Sequence, residues 1–180
     1  MSFGYRDHLA LMAHYNGVMN ERLIAVVTPL DDAVLGEDRG AFFGSVLGTM
    51  NHLTVADLMW LNRMRPYPFG QILSPLDELP KPTGLRDMPY PTLAAYVPVR
   101  RQLDALMVDF IAHLREDEVA APFTYRNSAG EPYTKTLGLV LSHVFNHQTH
   151  HRGQITTLLS QIGLDIGVTD LAPLAPNLGA

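Results

Sequence analysis

"TLGLVLSHVFNHQTHHRGQITTLLSQIG", residues 136–163, decides how the rest of the chain is read. It holds His143, His147, His150 and His151, half of the eight histidines present. The stretch has the periodicity of a helix, spanning roughly 134–163 and ending before Gly163. A helix turns about 100° per residue, so with His147 at zero, Val140 and Leu158 fall near +20° and His151 near +40°. Val144 and Ile162 follow near +60°, and Leu137 and Ile155 near +80°. His147 and His151 therefore belong to the apolar stripe itself, while His143 and His150, at about −40° and −60°, lie on its rim. Two imidazoles four residues apart face the same way and converge on one ion. Burying them without partners is costly, and either a metal or hydrogen bonds to carbonyls would satisfy them. No glutamate separates the pair, so the zinc-protease arrangement is not indicated.

Three further segments have helical spacing. The first covers roughly 4–28 and stops at Pro29, with Met12, Tyr15, Met19, Leu23, Val26 and Val27 in phase. The second covers roughly 41–65 and stops at Pro66; the third covers roughly 92–115, where Pro98 predicts a kink or the true start. With these four segments the expected fold is all-α, in one domain over residues 1–180. Residues 66–90 contain six prolines and form a long crossover between the second and third helices, which permits those helices to run parallel. "PFTYRNSAGEPYT" at 122–134 predicts a short extended or hairpin excursion before the fourth helix. Residues 164–180 form an irregular C-terminal tail.

Composition excludes several classes. The net charge is −5 and there is no basic run, which argues against nucleic acid as a partner. No apolar run reaches the roughly 20 residues that cross a bilayer. There is no cysteine, hence no thiol nucleophile and no thiolate metal ligand. The N-terminus lacks a secretory apolar core, and the expectation is a soluble cytoplasmic protein.

A third metal ligand must come from another helix. By residue type the candidates are His8, His14, His52, His113, Asp57 and the rim histidines. In the second segment Phe42, Val46, Met50, Leu53, Asp57, Trp60 and Met64 centre on a stripe about 120° from His52. Val55, Ala56 and Met59 lie nearer His52, so this helix is apolar around much of its girth and is buried on more than one face, a subunit interface included. Periodicity alone does not choose between His52 and Asp57. An aspartate on an apolar face needs a partner, such as Arg152 or a ligating histidine.

"HVFNHQTHHRGQI" at 143–155, "YNGVMNERL" at 15–23 and "MNHLTVADLMWLNRM" at 50–64 together resemble the helix signatures of the DinB/YfiT-like superfamily of metalloenzymes, which shares a name with an unrelated DNA polymerase. The resemblance spans nearly the whole chain. One position departs from it: Val18 stands where relatives often carry an aromatic residue. The resemblance implies a four-helix bundle with a long crossover between the second and third helices and a divalent metal ion held by His52, His147 and His151, and homodimers are common among relatives. It also implies thiol-dependent transferase or isomerase chemistry with a low-molecular-weight thiol as co-substrate. Three ligands leave a coordination position open, the pattern of catalytic sites, and all-imidazole ligation suits zinc, nickel or iron. The expectation is a metal-dependent transferase or hydrolase that activates a small thiol or water on a small-molecule substrate. The alternative is a non-catalytic, stress-related metal-binding dimer. Asp57, Tyr15, Asn16, His143, His150 and Arg152 are further candidates to support the ligands or touch substrate. Arg152 and Gln154 equally suit hydrogen bonding at or between helices.

Overall fold

The computed structural model describes residues 3–67, 69–127 and 129–177. Its helices are α1 (Tyr5–Val27), the short α2 (Asp32–Gly36), α3 (Val46–Met64), α4 (Leu93–His113), the short α5 (Glu116–Ala120) and α6 (Leu137–Ser160). Each long helix after the first starts at a hydroxyl cap: Ser45 accepts from the Gly48 N–H, Thr92 from Ala95 and Thr136 from Leu139. These caps satisfy N–H groups that have no partner inside the helix.

Side-chain pairings set the directions of the bundle. Asn51 meets Tyr90, Asp57 meets Arg100 and Tyr67 meets Phe110, so α3 and α4 run parallel, as the long crossover allows. Tyr5 meets Gly138 and Asn16 meets Arg152, so α1 and α6 are also parallel. The two pairs oppose each other: Arg6 reaches Ala112 while Glu21 holds Arg101, and Trp60 packs on His143 while His52 meets His147. Around the bundle the order is α1, α4, α3, α6.

The expected excursion is a two-stranded hairpin. β1 (Pro122–Arg126) pairs antiparallel with β2 (Pro132–Thr136), with Tyr125 opposite Tyr133. Tyr125 leans edge-on against Trp60 of α3, with ring centroids 5.0 Å apart. The crossover is irregular apart from a 3-10 turn at Gly70–Glu78, whose Leu73 and Leu76 enter the core. The tail has one 3-10 turn, Ala172–Leu174. No helix among the described residues is long and apolar enough to cross a membrane.

One expectation needs correction. The second helix begins at Val46, not near residue 41. Residues 41–44 form a tight turn with Gly44 at φ +76, a left-handed conformation glycine adopts without penalty. The turn lies so close to the helix that a Cβ on Gly48 would sit 2.1 Å from the Phe43 carbonyl oxygen. Phe42 is therefore not part of the core stripe; it is 68% exposed. The third helix keeps its expected span: α4 starts at Leu93, and of the two readings of Pro98 the later start is excluded because the proline lies inside the helix.

Candidate metal centre

α3 is buried around its whole circumference from Val46 to Leu58, and His52 sits within that span at 4% exposure. Opposite it, His147 and His151 lie one turn apart on α6, the first half-buried and the second buried. One ring nitrogen from each of the three lies within 4.8 Å of the others. His52 Nε2 is 3.0 Å from His147 Nε2. The rim histidines do not join them: His143 and His150 are both exposed.

The second nitrogens of two rings are already held. His52 Nδ1 lies 3.0 Å from the Leu85 carbonyl in the crossover, and His151 Nδ1 lies 2.7 Å from Gln154 Oε1. A carbonyl oxygen only accepts, so each Nδ1 carries its proton and each Nε2 keeps its lone pair. Phe43, brought by the turn before α3, stacks on the His52 ring at 3.8 Å between centroids and 16° between planes. The imidazoles stay neutral in this setting. Burial, followed by His151 and His52, pushes His147 down to about 3. Burial lowers His52 against the opposing pull of the Leu85 carbonyl, and lowers His151 against that of Gln154. His147 Nε2 then donates to the His52 Nε2 lone pair, and three neutral imidazoles that converge in this way, two with fixed tautomers, fit a borderline cation such as zinc, nickel or iron in place of that proton.

A cleft of about 290 Å³ opens beside the cluster. His52, His147, Leu85 and His143 line it together with Trp60 and Tyr125. His143 packs edge-on against Trp60 at 5.4 Å, which makes this rim histidine part of the cleft wall.

The other candidates gather in a second polar cluster deeper in the bundle. Asp57 is paired not with Arg152 but with Arg100 of α4, 2.6 Å away. Arg100 also holds Asp104 at 2.9 Å, and Asp104 accepts from the amides of Asn16 and Asn20, each at 3.0 Å. Arg152 is buried too, and donates to Asn16 and to Gln148. Tyr15 packs below the Arg152 guanidinium and donates to the Thr169 carbonyl of the tail. Asp57, Asn16 and Arg152 thus contact one another's network rather than the three histidines. Sequence reasoning passed over Arg100 and Asp104. Their signal was present: Arg100 occupies a core position in the series Tyr96, Arg100, Leu103, Met107, Phe110. It also passed over Phe43 and Leu85, which come from loops and carry no periodic signal.

Comparisons with known proteins agree with this architecture. The DinB family model matches residues 5–175. Protein DinB of Bacillus subtilis is 22% identical over 164 residues, 91% of each chain. The crystal structure of a DinB-like protein from Bacillus cereus superposes with a TM-score of 0.52 at 20% identity, covering 83% of this chain and 89% of that one. At that identity the structural likeness speaks for the fold alone.

Proposed function

The chain belongs to the DinB family, and from that premise we propose that it binds a divalent metal ion through His52, His147 and His151 and uses it to activate a small thiol or water. The observation that carries this reading is the convergence of three neutral imidazoles, two of them (His52 and His151) with Nε2 free of a proton, beside a cleft that His52 and His147 themselves line. Bound there, such an ion supplies Lewis acidity, lowering the pKa of a coordinated thiol or water into the neutral range. The chain's own groups do the rest. Leu85 and Gln154 fix the two ring orientations. Phe43 packs one face of His52 against water. The low proton affinity of the rings keeps their lone pairs available at neutral pH. The reaction class is thiol transfer or hydrolysis on a small molecule, in a cytoplasmic homodimer with no nucleic-acid partner.

Two measurements test this. Elemental analysis of protein loaded with zinc, nickel or iron should give about one ion per chain, and affinity should fall at least about tenfold in H52A, H147A and H151A. If H147A and H151A retain stoichiometric metal, the ligand set is wrong. Metal-loaded protein should then be assayed against electrophiles with several small thiols, and against hydrolysable esters. Metal binding with no metal-dependent turnover on any of them would favour the non-catalytic scaffold.

A further inference from the structure

One cation in the cleft has no evident structural employment. Arg63 lines it on the same face of α3 as His52, Ala56 and Trp60. Its guanidinium lies 4.5 Å from the Trp60 ring centroid and 5.6 Å from that of Tyr125. The neighbouring arginines are engaged: Arg65 pairs with Asp77, Arg86 donates to the Phe42 carbonyl and Arg126 to that of Gly130. Among the described residues Arg63 has no ion-pair or hydrogen-bond partner; only the aromatic faces and partial burial act on it, and burial lowers its pKa. Asn127 is no substitute, because its amide is committed to the hairpin turn through Ala129 and Glu131.

A guanidinium that rests against two aromatic rings, with no carboxylate or carbonyl among the described residues to accept from it, keeps its N–H fork for a ligand, and the chemistry that matches such a fork is a carboxylate. We infer that Arg63 anchors the carboxylate of an elongated small-molecule thiol whose sulfur reaches the three-histidine centre; this rests on the metal-dependent reading above. The length follows from the helix. Arg63 is eleven residues beyond His52, and side chains lean toward the helix N-terminus. A rise of about 1.5 Å per residue, less the reach of the arginine, leaves on the order of 10 Å between the anchor and the metal-binding atoms. Ala56, Met59 and Leu85 line the cleft along with these residues and suit an aliphatic spacer.

Trp60 is the only tryptophan in the chain, so its fluorescence reports occupancy of this cleft directly, with or without turnover. The test is a titration of cobalt-loaded protein with mercaptohexanoate and, in parallel, with mercaptohexanol. Metal content is measured first, and thiolate-to-cobalt absorption is followed alongside the Trp60 emission. The wild type should bind the acid at least about tenfold more tightly than the alcohol, as a hydrogen-bonded charge pair requires. R63M should bind both alike, and R63K should retain part of the preference. Equal affinity for the two ligands in the wild type, no binding of either to metal-loaded protein, or a preference that survives R63M would each overturn the anchor while leaving the metal centre standing. Failure to take up cobalt at all would overturn the metal-dependent reading, and the co-substrate with it. Should R63M not fold, the wild-type preference and its reduction in R63K decide the matter.

Discussion

The bundle holds two polar clusters, and they are built on opposite principles. The Asp57–Arg100–Asp104 cluster is charged and spends itself internally: two carboxylates face two guanidiniums, Arg100 and Arg152, with the amides of Asn16, Asn20 and Gln148 between them. The His52–His147–His151 cluster is uncharged, and its bonds to Leu85 and Gln154 use only the outer nitrogens. A network whose charges pair with one another fixes how helices pack. A network that leaves lone pairs converging beside a cleft offers them to a ligand. The difference therefore separates a cluster whose charges are turned inward on the fold from one with nitrogen atoms open to a ligand.

The sharpest way to break this division is to cut the charged cluster. R100M strands Asp57 and Asp104 without their cation, and losing one member of a buried pair costs about 3–5 kcal/mol. Urea unfolding should register that loss, while the chains that remain folded still bind metal with wild-type stoichiometry. Loss of metal in proportion would mean the two clusters are one unit. Next comes the converse cut. Metal at about a hundredfold above its dissociation constant stabilises a folded chain by roughly 2.7 kcal/mol. Thermal denaturation with and without chelator should show this increment in the wild type and lose it in H147A. In chelator, H147A should differ from wild type by no more than about 1 kcal/mol, because the half-buried ring makes no bond outside the cluster.

The α6 half of the site was legible because that helix is amphipathic: its wheel has contrast, and His147 and His151 stand out as polar members of an apolar stripe. His52 was hidden by the opposite property. Every residue from Val46 to Leu58 is buried, so a wheel drawn on α3 has no exposed side against which to find a direction. The helix signatures, not the periodicity, pointed to His52. Pattern reading also ran Phe42 into the helix, although the glycines at 40 and 44 that bracket the turn were there to be read. Asp57 was noticed as anomalous, but its partner was sought in Arg152. The answer was Arg100, four residues before Asp104 on α4.

A smaller effect sharpens the account of the histidines. Gln154 Oε1 holds His151 Nδ1 from one turn along α6, and residues that orient a metal-binding histidine are commonly worth tenfold or more in affinity. Q154A should weaken metal binding by about tenfold, measured by competition with a chromophoric chelator, and leave chelator-treated stability unchanged within roughly 0.5 kcal/mol. Q154E should restore most of the affinity, since a carboxylate accepts the same proton. Wild-type affinity in Q154A would reduce the contact to ordinary helix-surface bonding.

The smallest effect lies in the pH dependence of the metal-free protein. His147 in the folded chain is pushed from the ordinary 6.5 down to about 3 by burial and by its histidine neighbours, and His52 and His151 are lowered as well. Below about pH 6.5 the unfolded chain therefore binds protons that the folded chain refuses, so stability is full above that pH and declines as pH falls toward the folded value. The ring is only partly buried, which limits the slope. The urea midpoint of chelator-treated wild type should fall between about pH 7 and pH 5, and that of H147Q, which has nothing to titrate at this position, should fall less. Metal should oppose the decline, because it occupies the same lone pairs. An equal slope in H147Q and wild type would mean that His147 binds a proton in the folded chain as readily as in the unfolded one, and its ring would then not be held neutral for a metal.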